Sequence, residues 1–345
     1  MEKYQVIIFF LAPILIGLIL NKLLVKEKLL LNYTGYLHQK FTNNKSVPLI
    51  GGIIFIFFLV FINFTITKHF FLFIFIFFLI GFLADINFLK SAKLRLILQI
   101  IFLLLFITID KISIINIRID FFDVFLNNKN ANIFFTTICF LILINGTNFI
   151  DGCNSLVVGY FLSILIILND LNLINFIFYD INEFYSFLFL IISIFLLNFY
   201  EKLFLGDSGV YILSIIFGTI LIKTYELNSY ISPYFICILL WYPAFEVLFS
   251  ITRKFSFNKS ILKPDTNHFH QLLYFFISKR TQLFNRKIKN SLTGVVINIY
   301  NLFIFMISSN FFSNSEILIF IIFFNVTLYS FIYMRLYKYK IKYLS

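Results

Sequence analysis

Apolar runs of about 17–25 residues recur along almost the whole chain, and no other feature limits its fold so strongly. Wound into a helix, such a run crosses roughly 30 Å of hydrocarbon. In lipid each backbone polar group must be satisfied within the protein, so helices are the expected outcome. The 345 residues are 61% hydrophobic and 13% charged, against about 45–50% apolar and about 25% charged in a soluble domain. That balance sets aside a large soluble protein with an unusually buried core. The expectation is an all-α, polytopic integral membrane protein, a single multi-span domain over residues 1–345 without internal repeats.

About eleven transmembrane helices can be placed, near residues 4–24, 48–67, 70–84, 94–109, 132–150, 155–169, 184–200, 209–224, 231–251, 293–309 and 315–334, the third and sixth of them short. The first run resembles a signal peptide in length, but Lys22, Lys26 and Lys28 follow it without a small-residue cleavage site, so it reads as a retained span. Cys139, Cys153 and Cys237 are scattered and suggest neither disulfides nor zinc. The net charge of +12 lies in loops between spans, which favours lipid headgroups over nucleic acid as its partner.

Those loop charges also set an orientation. The 252–292 loop carries nine Lys/Arg against Asp265, the 21–47 loop carries five lysines against Glu27, and the 170–183 loop holds only acids. The positive-inside rule then places the N-terminus outside and the C-terminus inside.

Four polar clusters fall on the same, cytoplasmic side in this arrangement: residues 81–96, 143–156, 200–210 and 263–274. Ionisable groups at membrane depth cost roughly 2.5–3.5 kcal/mol each on insertion scales, so they tend to mark a site. Together the clusters supply Asp85, Asp151, Asp207, His268 and His270. Carboxylate and carboxamide oxygens suit Mg²⁺, with Mn²⁺ as a substitute, and that ion shares its shell with phosphates. Lys93 and Arg95 are cations able to hold phosphate oxygens. Plainer readings stand beside these. Asp207 suits a helix N-cap and Asp85 a loop residue. Lys93 and Arg95 suit charged anchors at the membrane surface. The histidine pair suits a solvated loop, and Asn148 a bond to a neighbouring helix.

The ordered set of motifs resembles the polyprenyl-phosphate N-acetylhexosamine-1-phosphate transferases of glycosyltransferase family 4. The residues that carry the likeness are Pro48, Gly51 and Gly52; the K-L-R-L-x-x-Q of 93–99; Asn145, Asn148, Asp151 and Gly152; Gly206, Asp207, Ser208 and Gly209; and Pro264, Asp265, His268 and His270. The resemblance covers roughly residues 35–275. It implies an eleven-span enzyme that moves HexNAc-1-phosphate from a UDP-sugar to a polyprenyl (undecaprenyl) phosphate, releases UMP and initiates a lipid-linked surface polysaccharide. The active site would face the cytoplasm from the inner membrane of a bacterium.

Carried over residue by residue, Asn148 and Asp207 match the magnesium ligands. Asp85, Asp151 and Asp207 match the catalytic carboxylates. Lys93, Arg95, Asn145, Asn154, Asp265, His268 and His270 are the expected substrate contacts. The partners are UDP-HexNAc and polyprenyl phosphate in the bilayer, with no nucleic acid and with homodimerisation left open.

Two departures stand out. The usual aspartate pair reads Ala84-Asp85, and the histidine motif continues with Gln271 rather than a third histidine. The second departure separates the chain from the branch that makes the peptidoglycan lipid intermediate and favours a GlcNAc-type or modified-HexNAc enzyme. Two rivals remain. A catalytically impaired homologue follows from Ala84. A transporter or flippase would instead place its acids near mid-span in matching halves.

Overall fold

The computed structural model describes residues 2–31, 47–174, 177–256, 267–280 and 285–344, and these residues fold into helices with three isolated β-bridges. In chain order the helices are α1 Glu2–Glu27, α2 Gly51–Leu59, α3 Phe70–Asp85, α4 Ala92–Ile109, α5 Asp120–Leu126, α6 Lys129–Ile150 and α7 Leu156–Asp170. They continue with α8 Ile181–Phe199, α9 Gly206–Leu227, α10 Pro233–Leu239, α11 Trp241–Ser256, α12 Phe269–Arg280, α13 Arg286–Ser309 and α14 Ser315–Leu344. Several starts follow from local capping chemistry. Asn128 accepts from the amides of Asn130 and Ala131, Asp180 from those of Asn182 and Glu183, and Ser91 from that of Leu94.

Among the described residues, seven helices are long and apolar enough to cross a membrane, or eight if the bent pair α10–α11 counts as one span. The protein is a multi-pass membrane protein, and the expected eleven segments differ from this count for local reasons. The second, expected over 48–67, shrinks to the nine residues of α2, roughly 13 Å at 1.5 Å per residue. Its polar remainder is used elsewhere: the Asn63 side chain donates to Glu183 and the Thr65 amide to Ile177. α3 and α7 are helical where expected but short.

The ninth segment bends by 75° between α10 and α11. Pro243 explains the break, because proline has no N–H to donate to Leu239, four residues back. The freed carbonyl of Leu239 accepts instead from the Tyr160 hydroxyl at 2.8 Å. The 252–292 segment, expected as a loop, holds the end of α11, all of α12 and the start of α13.

α9 is the central element, apolar all round and buried along most of its length, and it packs against α2, α3 and α6. α1 lies on α8, α7 on α13, α6 on α11, and α12 between α13 and α14. The helices sort into two ends. At one end the Asn21 amide reaches the carbonyl of Lys202, and Pro48 pairs with Phe204. At the other, Asp110 accepts from Thr67 and pairs with His69, and Glu226 accepts from Ser113. Arg118 donates there to Ser313 and Ser315.

Candidate functional site

Asp85 ends α3 and Asp207 sits in the first turn of α9, so their positions depend on how closely those two helices meet. Gly81 makes the approach possible: a Cβ on it would land on the main chain of Ser208. On the other side, Gly52 fits against Ser208 and Gly209 with the same lack of room. The Gly51 amide donates to Phe204 at 3.0 Å and that of Gly52 to Leu205 at 3.3 Å. The early Pro-x-x-Gly-Gly run is therefore a main-chain brace for the segment that leads into α9.

Within this junction Asp85 does something the sequence did not announce. Its Oδ1 accepts from the Asp207 amide at 2.8 Å, and its Oδ2 accepts from the Ser208 amide at 3.1 Å and the Ser208 hydroxyl at 2.6 Å. Those amides belong to the first turn of α9, which has no intrahelical acceptors for them. The residue in the N-cap position, Leu205, offers no side-chain bond. Asp85 thus caps α9 from another helix, and the N-cap role considered for Asp207 falls to it. Gly206 has φ +73°, in the region glycine adopts without cost, and a Cβ there would lie 2.6 Å from the Asp85 carboxylate.

Asp207 is left with its carboxylate free of the cap. Arg95, on the first turn of α4, pairs with its Oδ2. Arg95 also lies within reach of the Tyr211 hydroxyl, one turn further along α9. Arg95 is therefore turned inward, unlike a plain surface anchor, whereas Lys93 stays exposed at the rim. Tyr211 was not among the expected residues; its position four residues after Asp207 is the signal that would have found it.

The third carboxylate, Asp151, follows the last residue of α6, and its charge interacts with those of both Asp207 and Asp85. Asn145, Asn148 and Asp151 are spaced by three residues and so share one face of α6. Asn145 donates to Gln99 on α4 at 3.2 Å, the inter-helix bond that had been considered for Asn148. Asn148 is half-buried on the turn between Asn145 and Asp151. Asn154 is buried, and its amide donates to Glu201 at 3.1 Å and Ser291 at 3.4 Å. These bonds join the segment before α7 to the turn after α8 and to α13.

The histidines are not a solvated pair, since His268 is 7% exposed and His270 fully buried. Their rings lie nearly parallel, 5.7 Å apart, and His268 also meets the edge of Phe149 on α6. His270 packs directly on Gly152, where any Cβ would strike its Nε2. Burial, with His268 beside it, pushes His270 down to about 3, so it is neutral near pH 7. Both of its ring nitrogens are buried without a hydrogen-bond partner among the described residues. Unpaired buried polar atoms cost free energy and call for an explanation. Here Nε2 lies against Gly152, the residue that follows the third carboxylate in the chain. Asp265 lies outside the described residues.

The donor set can be tested against a divalent cation. Three carboxylates interact, and one guanidinium is paired among them, so the set retains excess negative charge and offers hard oxygen ligands. No group of three or more His, Cys, Asp or Glu side chains among the described residues is arranged to hold a metal unaided. Mg²⁺ needs no such group, since it takes one or two carboxylates and completes its shell with water and substrate phosphates.

Comparison with known proteins bears on the same residues. The family model described as glycosyl transferase family 4 matches residues 67–225. The match supports assignment of those residues to glycosyl transferase family 4. The match takes in Asp85, Arg95, Asn148, Asp151 and Asp207 and ends before α10. Membership implies a polyprenyl-phosphate sugar-1-phosphate transferase in general terms. A comparison with curated proteins finds no significant match.

Proposed function

We propose that this glycosyltransferase family 4 protein transfers HexNAc-1-phosphate from a UDP-sugar to a polyprenyl phosphate, releases UMP, and so initiates a lipid-linked surface glycan. The observation that carries the reading is the gathering of Asp85, Asp151, Asp207, Arg95 and the buried histidines at one end of the helix bundle. In this reading that end faces the cytoplasm of a bacterial inner membrane. Lys90, Lys93, Lys202, Lys279 and Arg280 lie with it, whereas Asp110, Asp180, Glu183 and Glu226 lie at the other.

The reaction forms a bond between an acceptor phosphate oxygen and the sugar-bearing phosphorus, and breaks the bond from that phosphorus to UMP. The acceptor phosphate, with a second pKa near 6, is already largely ionised at pH 7. No general base is therefore required, and Ala84 in place of the family's first aspartate does not disable direct attack. Asp207 and Asn148 would hold Mg²⁺, which when bound supplies charge neutralisation for the diphosphate. Arg95 fixes the Asp207 carboxylate, and Asp85 fixes the backbone beneath it. Lys93, at the exposed rim, is placed to meet a phosphate from the donor or the lipid. His270 backs Gly152, so its contribution is to hold the turn that carries Asp151.

The transporter reading loses ground because Asp85, Asp151 and Asp207 sit at helix ends in one cluster rather than at mid-span in two halves. The deciding experiment incubates membranes containing the full chain with a panel of UDP-HexNAc donors, polyprenyl phosphate and Mg²⁺. A sugar-diphospholipid and stoichiometric UMP are expected with one donor and are lost with chelator. Silence with each donor, at confirmed expression, would favour the impaired-homologue reading.

A further inference from the structure

Glu246 lies on α11, outside the residues matched to the family and outside the expected site. It is 1% exposed, and a carboxylate is expensive to bury unless its oxygens are taken. They are taken by three donors from two other elements. Oε1 accepts from His268 Nδ1 at 3.0 Å and from the Phe269 amide at 3.2 Å, and Oε2 accepts from the Tyr329 hydroxyl of α14 at 2.5 Å. α14 grips the same short stretch from its far side: the Tyr333 hydroxyl donates to the Asn267 carbonyl at 2.9 Å and Lys340 to the Asn267 side chain at 2.7 Å. The Phe269 ring stacks on Tyr329 at 4.7 Å. Residues 267–269 are thereby clamped between α11 and α14, and the next residue, His270, is delivered against Gly152.

We propose that Glu246 is the positioning residue of the histidine segment, holding residues 267–270 so that His270 stays packed on Gly152, the residue after Asp151. It acts through its acceptor oxygens and touches no reacting atom. The 75° break between α10 and α11 brings it there, since α11 carries Glu246 away from the line of α10. The consequence for activity rests on the function proposed above; the clamp itself does not.

The test uses the full-length chain in detergent or nanodiscs. Hydrogen–deuterium exchange is read on the peptide containing residues 268–272, and kcat and KM are measured for the UDP-HexNAc donor. Glu246→Ala removes the acceptor of all three donors, and its exchange should quicken by about tenfold or more, with donor KM rising by about tenfold and kcat within about threefold. Glu246→Gln keeps an oxygen for His268 and Phe269, and the Tyr329 hydroxyl can turn to accept from the new amide. It should restore exchange and KM to within about threefold of the parent.

Unchanged exchange in Glu246→Ala overturns the clamp whatever the activity does. Faster exchange with unchanged KM shows that the clamped segment does not serve donor binding and overturns the link to the site. A parent chain inactive with each donor sinks the function proposed above, while the exchange measurement still decides the clamp. Should Glu246→Ala fail to accumulate, Tyr329→Phe removes one donor and leaves the carboxylate, and exchange faster by about threefold is then expected.

Discussion

Asp85→Ala separates two accounts of the carboxylate that survives next to Ala84. If Asp85 is a base or nucleophile, its loss removes a chemical step and leaves the backbone undisturbed. If it is the remote cap of α9, its loss strips acceptors from the Asp207 and Ser208 amides and the Ser208 hydroxyl. Each buried donor left unpaired costs about 1–3 kcal/mol, so the two amides bracket the loss at about 2–6 kcal/mol. Asp85 is only half-buried, so water recovers part of this, and a lost helix cap costs typically about 0.5–2 kcal/mol. A loss near 2.7 kcal/mol is the reasonable middle. Expressed as a smaller fraction of molecules with Asp207 in place, it lowers turnover about 100-fold.

Ala84→Asp, by contrast, should change the rate by less than about tenfold, since the acceptor phosphate needs little deprotonation. UMP release would be followed for the parent and both variants, with amide exchange at residues 206–209 measured in parallel. The cap account expects slow turnover and accelerated exchange together in Asp85→Ala. Loss of turnover with undisturbed exchange at 206–209 would refute it and return Asp85 to the chemistry. So would an inactive parent rescued by Ala84→Asp.

Three further outcomes follow from the same geometry. Asp207→Asn should reduce Mg²⁺-dependent transfer by on the order of 100-fold or more at near-normal expression, because a neutral amide attracts a divalent ion weakly; parental activity would remove Asp207 from the metal site. Gly81→Ala drives a methyl group into the Ser208 main chain, which cannot yield without moving α9, so a loss of about 1–3 kcal/mol is expected, read as a lower unfolding temperature in detergent together with reduced UMP release. Cysteines at Tyr200, 66% exposed, and Tyr179, 76% exposed, should label from opposite faces of sealed vesicles, Tyr200→Cys from the cytoplasmic one; labelling from the same face would break the assigned orientation.

Periodicity in this chain could not show how long a helix would become. A run such as 48–67 is apolar enough to span, yet Asn63 and Thr65 are drawn to Glu183 and Ile177 from a distant segment, and the helix stops at Leu59. No local feature of residues 60–67 announces those partners. The bend at Pro243 was legible in principle, since the missing N–H is a property of one residue.

The site divides in the same way. Asp207 and Asp151 were identifiable because carboxylates are costly next to apolar spans. Glu246 was not: in sequence it is one acid in an amphipathic stretch, and only its three donors give it a role. Asp85 was picked for its charge, whereas what the structure reveals is the direction of its two oxygens, which no sequence pattern encodes. Asn154 shows the converse, a residue chosen for its place in a motif and found bonded to Glu201 and Ser291.

The brace around the start of α9 also bears on how such a chain tolerates mutation. Asp207 is located by amides, carbonyls, the Asp85 carboxylate and the near-absence of side chains at Gly52, Gly81 and Gly206, so its coordinates are stored largely in the main chain. With 52 phenylalanines among 345 residues, the surrounding spans lean heavily on one kind of bulk. Exchanging Phe, Ile and Leu along their lipid-facing sides leaves that stored position untouched. A lineage can therefore rewrite most of its membrane surface under compositional pressure while three residues without side chains keep the reaction centre in register.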